Sequence, residues 1–288
     1  FKGSPLGHNI LGTAEQVRAF TTEDALRFTR KLYRPDNAIF FAYGNIDFKK
    51  LVKLIGRALA DNDSMSKLAN NEVPQISQIT QISRDENSIA EEKSVSSVKS
   101  VGPKNYPSVG DGIAGQTIVM QKNTHQAHVM IGTRAYDVND SRRMPLYLLN
   151  NMLGGPGMNA KLNLALREHN GLVYTVESTM VAYGDTGIWS IYFGCDEHDV
   201  KRCLRLVRKE LDKFMQKPLS EAQLKAAKKQ IKGQVGVACD NRENFALDFG
   251  KSFLHYGWEK NVDRLYEQVD EITAEQIQAV AQELFDKD

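Results

Sequence analysis

Two residues in the stretch "LREHNGLVYTV" have the chemistry to act on a carbonyl group: Arg167 and, seven positions later, Tyr174. A guanidinium and a phenol are both hydrogen-bond donors, and donors converging on one oxygen stabilise the charge that develops there in acyl transfer. The pair also has an ordinary reading. An arginine in the last turn of a helix complements the helix dipole and its free carbonyls, and a tyrosine on a strand is usually packing. Residue types and spacing leave both readings open.

A helix, a stop and a strand position the pair. Gly171 stands where a helix takes a left-handed terminating residue. Beyond it, simple alternation places Leu172, Tyr174 and Val176 on one sheet face and Val173 and Thr175 on the other. Upstream, "RRMPLYLLNNMLGG" carries Leu146, Leu149, Met152 and Leu153 at helical spacing, and "MNAKLNLALREHNG" follows as a second helix. "LVYTVESTMVAYGDTGIWSIYFGC" reads as a hairpin with its tip at Gly184-Asp185, and "HDVKRCLRLVRKELDKF" as an amphipathic helix. Ser220 with Gln223 forms a capping box that opens a long helix toward Tyr256, and Thr273 with Gln276 opens the last one. "GQTIVMQKNTHQAHVMIGTRAYD" gives two strand-like runs ahead of these elements.

The front of the chain has its own pattern. Thr13 with Gln16 fits a capping box, and "TTEDALRFTRKLYRPDN" is an amphipathic helix with Ala25, Phe28, Thr29 and Leu32 recurring and Pro35 ending it. "AIFFAYGN", Ala38 to Asn45, reads as a buried strand, after which Asp47 caps a helix through Ala60. Helix, strand and helix make no complete sheet, which suggests an amputated domain. Residues 61–112 are rich in Ser, Asn, Lys and Glu without a sustained period, the pattern of an irregular linker. A short strand over Ile76 to Ile82 is an alternative within it. Strands cluster and then helices cluster, so the expected class is α+β, a mostly antiparallel sheet flanked by helices.

Composition narrows the function classes. The net charge of +1 leaves no electrostatic footprint for a nucleic acid or an anionic membrane, and no run of eighteen apolar residues occurs. Cys195, Cys203 and Cys239 are odd in number and lack the spacing of a disulfide framework or a CxxC knuckle, which points to idle thiols in a reducing, cytoplasmic setting. His125 and His128 in "THQAHVM" invite a metal reading, but an offset of three on a strand puts them on opposite faces. His198, among Asp196, Glu197 and Asp199, reads as a solvated helix start. "GGPG", Gly154 to Gly157, is not a phosphate loop, because no Lys-Ser/Thr follows and no strand precedes it. The first residues have no initiator Met and begin in what looks like a loop, so a longer parent is expected.

The string "NMLGGPGMNAKLNLALREHNGLVYTVES" resembles the second half of the pitrilysin and mitochondrial-processing-peptidase family of zinc metallopeptidases. There a helix ends in Leu-Arg-Glu, a loop supplies Gly-Leu, and a tyrosine follows seven residues after the arginine. Arg167, Glu168, Gly171, Leu172 and Tyr174 keep that spacing. The hairpin and its following helix, the long helix, the closing helix "ITAEQIQAVAQELF" and, as the last third of the family's first half, the front segment "SPLGHNILGTAEQVRAFTTEDALRFTRKLYRPDNAIFFAYGNIDFKKLVKLI" are similar to the family in the same order. His8 in "GHNILG" falls on the active-site rim and is not one of the family's ligands.

The resemblance implies a peptidase of two similar halves that close on a peptide, with zinc on the first half held by HxxEH and a later glutamate. Residues 1–60 would then be the end of the zinc-bearing half, 61–112 a linker, and 113–288 the second, substrate-clamping half, trimmed at its far end. Arg167 and Tyr174 would hold and polarise the scissile carbonyl. Gly154, Gly155 and Gly157 would form a flexible joint bordering bound substrate. This chain has no HxxEH. The resemblance therefore places the zinc site upstream of Phe1 in the parent, with no metal bound by this chain and no hydrolysis by it alone. The expected partners are peptide or unfolded polypeptide and a second subunit, as homodimer or heterodimer, with no nucleic acid and no membrane. Two rival readings remain: a catalytically silent companion subunit or scaffold, and a general peptide-binding module.

Overall fold

The computed structural model describes residues 5–42, 44–60, 115, 117–122, 124–257 and 261–286. In chain order the helices are α1 (Ala14–Ala19), α2 (Thr22–Leu32), α3 (Phe48–Ala60), α4 (Arg143–Gly154), α5 (Val200–Gln216), α6 (Glu221–Asp240), α7 (Arg242–Tyr256), α8 (Val262–Glu271) and α9 (Ala274–Leu284). The strands are β1 (Ala127–Ala135), β2 (Val173–Ala182) and β3 (Gly187–Cys195), and a short π-helix, Asn163–Glu168, precedes β2. The chain divides into two compact units: Phe1–Lys99 with Cys239–Lys260, and Ser100–Ala238 with Asn261–Asp288.

In the first unit the helix starts follow the sequence. Thr13 with Gln16 and Thr21 with Asp24 form capping boxes for α1 and α2, and the Lys50 N–H donates to Asp47 Oδ1 at 3.0 Å to start α3. Neither α1 nor α2 buries a side chain. The strand expected over 38–45 does not form in its described residues. A strand needs a neighbour to pair its backbone, and none lies alongside among the described residues. The Phe41 ring packs instead on Phe249 at 5.1 Å and Phe245 at 6.4 Å, both on α7. The linker of 61–112, with its alternative strand at Ile76–Ile82, lies outside the described residues. The single helix expected from Ser220 to Tyr256 is two, α6 and α7. Asn241 leaves the helical region at φ −78°, ψ 99°, and its side chain accepts from the Asn244 N–H at 3.1 Å, capping a new start.

The second unit is α+β as expected. Its antiparallel sheet runs in the order β1-β3-β2. Only the second of the two strand-like runs becomes a strand. Residues 117–122 stay outside the sheet with Ile118, Val119 and Met120 largely exposed, because no described strand bonds to them. β3 alternates strictly: Trp189, Ile191, Phe193 and Cys195 are buried, and Ile188, Ser190, Tyr192 and Gly194 face the open side. The buried face meets Leu146, Leu149 and Leu153 of α4, Val207 and Leu211 of α5, and Ile277, Val280 and Ala281 of α9, while Phe285 stacks against Trp189 at 4.6 Å. The Tyr136 hydroxyl donates to Glu283 Oε2 at 2.6 Å and ties the end of β1 to α9. Helix α8 had no sequence expectation; Asn261 caps it by accepting from the Arg264 N–H at 3.0 Å.

Candidate functional site

The site begins where the π-helix ends. Its wider turn closes with the His169 N–H donating to the Leu164 carbonyl at 3.0 Å and the Leu172 N–H to the Leu166 carbonyl at 2.9 Å. Gly171 takes φ +61°, the left-handed conformation expected of it, and its N–H donates to the Arg167 carbonyl at 2.7 Å. The Asn170 side chain donates to the Ala165 carbonyl at 2.8 Å. These bonds satisfy the helix end without a contribution from the arginine side chain. Leu166 anchors the turn, fully buried, and Arg167 points outward.

β2 then departs from simple alternation. Val173 pairs with Cys195 and Val176 with Phe193, so three steps on β2 match two on β3 and the strand carries a bulge. The expected grouping of Leu172, Tyr174 and Val176 on one face is therefore corrected. Val173 and Ser178 are buried, Val176 is half-buried on the same inward side, and Tyr174 and Thr175 are both exposed. Without the extra residue, Tyr174 would share the inward face of Val176 and Ser178. The bulge turns it out to 82% exposure.

The result is two donors side by side on an open surface. The Arg167 guanidinium carbon lies 5.9 Å from the centre of the Tyr174 ring, and its side chain is 44% exposed. Among the described residues its one ionic neighbour is Glu168, at 3.8 Å, a contact too long and too solvated to hold it firmly. Among the described residues, neither the Arg167 guanidinium nor the Tyr174 hydroxyl makes a hydrogen bond. A structural clip would spend these donors inside the fold, and here they are unspent.

The glycine loop is placed differently. Gly154 ends α4 against β2, where an added Cβ would come within 2.4 Å of the Ser178 nitrogen, so close packing requires glycine there. At Gly155 a Cβ would meet the Asn151 carbonyl oxygen at 2.6 Å. Gly157 lies beside Asn159, near a cleft of about 150 Å³ lined by Asn151, Asn159, Lys161, Gln223 and Gln230. Contact with β2 accounts for Gly154, and contact with the last turn of α4 for Gly155, before any ligand is invoked.

The remaining chemistry-bearing residues divide in two. Cys195 and Cys203 are buried, and burial first, then the neighbouring sulfur, pushes the Cys203 thiol up to about 12, so neither is a ready nucleophile. Asp196, His198 and Asp199 are the one group among the described residues whose ligand atoms lie close enough for an ion. It offers a single imidazole on an exposed loop, not the two imidazoles of an HxxEH helix, so these residues do not fit the zinc centre of that peptidase chemistry. His128 is the residue that the sequence undervalued. Its Nδ1 lies 2.7 Å from Tyr192 Oη with the two rings stacked, a contact set by strand register that spacing along the chain does not reveal.

The profile described as "Peptidase M16 inactive domain" matches residues 19–231. A protein of Streptomyces coelicolor described as an uncharacterized zinc protease is 27% identical over 99% of this chain and 55% of its own length. The mitochondrial-processing peptidase subunit beta of Saccharomyces cerevisiae is 24% identical over 96% of this chain and 55% of its own. A chain in the structure of complex III2 from Candida albicans superposes with a TM-score of 0.70 at 21% identity, over 99% of this chain and 61% of that one. The chain thus spans about half the length of the curated relatives it matches.

Proposed function

This chain belongs to the peptidase M16 family, and from that membership we propose that it is the substrate-clamping portion of a zinc-dependent peptidase. On this reading Arg167 and Tyr174 grip the carbonyl oxygen of the peptide bond to be cut. The carrying observation is the exposed, unbonded Arg167–Tyr174 pair, turned outward by a bulge and left over by a helix end that is capped without it. Relatives named as zinc proteases support a peptidase parent. The zinc and its HxxEH ligands belong, on this proposal, to residues outside these 288, and Gly157 with its neighbouring cleft borders the bound peptide. Clamping needs only positioned donors from this chain: they hold the oxygen in place and favour its charged form as the carbonyl is attacked.

The experiment is Arg167→Ala in the full-length protein. Loss of one such donor lowers kcat/KM for peptide cleavage by about tenfold to a thousandfold. Unchanged turnover would remove the role.

A second reading, a silent companion subunit, draws on one observation: the likeness to a protein named as a subunit, the mitochondrial-processing peptidase subunit beta. The full-length gene separates the two readings. HxxEH followed by a distant glutamate supports the peptidase, and its loss supports the companion. An assembly scaffold has no use for two free donors on an open face, and that contrast favours the peptidase.

A further inference from the structure

Across the open face of the sheet, a second polar pair stands opposite the first. His128 of β1 is paired with Gly194 of β3, and its Nδ1 and Tyr192 Oη share a hydrogen bond of 2.7 Å. On β2, Val173 pairs with Cys195, so the bulge that exposes Tyr174 starts at the same level of the sheet. Gly194 sits between them with no side chain. A Cβ built on it would come 3.7 Å from Gln126 Oε1 and 3.9 Å from His128 Nδ1, so both side chains reach toward the glycine from the β1 side. That stretch of the open face is bordered by Arg167 and Tyr174 on the β2 side and by His128 on the β1 side, with Tyr192 two residues along β3.

We propose that His128 is a positioning residue for the polypeptide held by Arg167 and Tyr174. Its occupied Nδ1 leaves Nε2 aimed at substrate, and the ligand is an extended peptide backbone crossing β3 at Gly194. The proposal rests on the clamp reading above. When the Tyr192 hydroxyl donates to Nδ1, the imidazole proton sits on Nε2, which then donates to a peptide carbonyl. Among the described residues Nε2 makes no hydrogen bond. Tyr192 thus holds the ring orientation, as an orienting partner does for a working histidine.

The spacing sets the register of the contact. Two inter-strand steps, from β1 across β3 to β2, measure roughly 9–10 Å, which an extended chain covers in about three residues. His128 therefore holds a carbonyl about three residues from the one gripped by Arg167 and Tyr174. It grips the chain away from the reacting bond, so its loss weakens binding and spares the chemical step.

The test is steady-state kinetics of the full-length protein on a peptide extending at least four residues to each side of the cleaved bond. His128→Ala raises KM roughly fivefold to tenfold, about one hydrogen bond's worth, with kcat within twofold. His128→Gln, whose amide nitrogen reaches the place of Nε2, recovers to within threefold of the parent. A peptide cut back to two residues on each side no longer distinguishes the parent from His128→Ala. An unchanged KM for the long peptide, a fall in kcat alone, or a glutamine variant no better than alanine would overturn the proposal. Where the full-length protein cuts no peptide, the clamp reading fails and the histidine is judged separately, by fluorescence polarisation of the long peptide. A fivefold weaker Kd in His128→Ala sustains it, and equal affinities overturn it.

Discussion

Helices α2 and α9 are started the same way and end differently. Thr21 with Asp24 caps one and Thr273 with Gln276 caps the other, both as full capping boxes. Yet α2 buries no side chain, whereas α9 buries Ile277, Val280, Ala281 and Leu284. The difference lies in what each helix meets. In the second unit β3 presents Trp189, Ile191 and Phe193 to the helices, and a closed core results. In the first unit no strand occurs among the described residues, and Phe28 remains 55% exposed. An amphipathic pattern records which face is to be covered; only a partner surface converts that pattern into stability.

The largest expected effect follows from that contrast. Phe193→Ala in the 288-residue chain removes a fully buried ring from the core and costs about 3–5 kcal/mol in urea unfolding followed through Trp189. Phe28→Ala removes a ring that is more than half exposed and shifts the same transition by no more than about 0.5 kcal/mol. Comparable losses at the two positions would mean that the first unit has a core of its own, and the contrast would collapse.

The same contrast explains what the sequence disclosed. Capping boxes, the Gly171 stop and the hairpin tip rest on interactions within a few residues, and all of them were readable: the Tyr183 N–H closes the tip on the Thr186 carbonyl at 2.7 Å. Features that need a distant neighbour were not. The aromatic run at 38–45 and the apolar run at 117–122 look like strands because strand propensity is local, but pairing is not. The break at Asn241 lies in the polar run Asp240 to Asn244, which contains neither glycine nor proline to mark a helix end. In the candidate site, the identities of Arg167 and Tyr174 were legible. The bulge that aims Tyr174 outward was not, since one extra residue shows only against the register of β3. His128 was discounted as a metal ligand on strand geometry, and its bond to Tyr192 awaited the same register.

A smaller effect sharpens the comparison at the caps themselves. Thr273→Ala leaves α9 without its side-chain cap while its buried face stays in the core, so the helix either retains its place or takes the unit with it. The loss, about 1 kcal/mol, therefore appears in the cooperative Trp189 transition. Thr21→Ala acts on a helix that no core holds, and the transition midpoint stays where it was. A measurable shift from Thr21→Ala would show that α2 is coupled to the cooperative core after all.

The smallest effect concerns charge at the first turn of α2. The Thr21 hydroxyl, then its backbone N–H, bonds the Asp24 carboxylate and holds its pKa below the ordinary 3.8. A carboxylate depressed in the folded state contributes its stabilisation above the unfolded value and loses it as pH falls through the lower, folded one. The α2 cap is therefore intact at pH 4 and above and weakens only below 3.8; at the head of α9 the Gln276 amide carries no charge, but the Glu275 carboxylate, bonded by its own backbone N–H and then by Thr273, is likewise held below its ordinary range. Carboxyl carbon shifts followed against pH should place the Asp24 midpoint below 3.8 in the parent and higher in Thr21→Ala. Because Asp24 is solvent-exposed and its partners, Thr21 and Arg27, each lie three residues away, this titration reads only contacts local to the start of α2, and Thr21→Ala isolates the hydroxyl from the Arg27 ion pair. A midpoint that Thr21→Ala leaves in place would show that the hydroxyl does not hold the carboxylate, and the likeness between the two caps would then stop at their sequences.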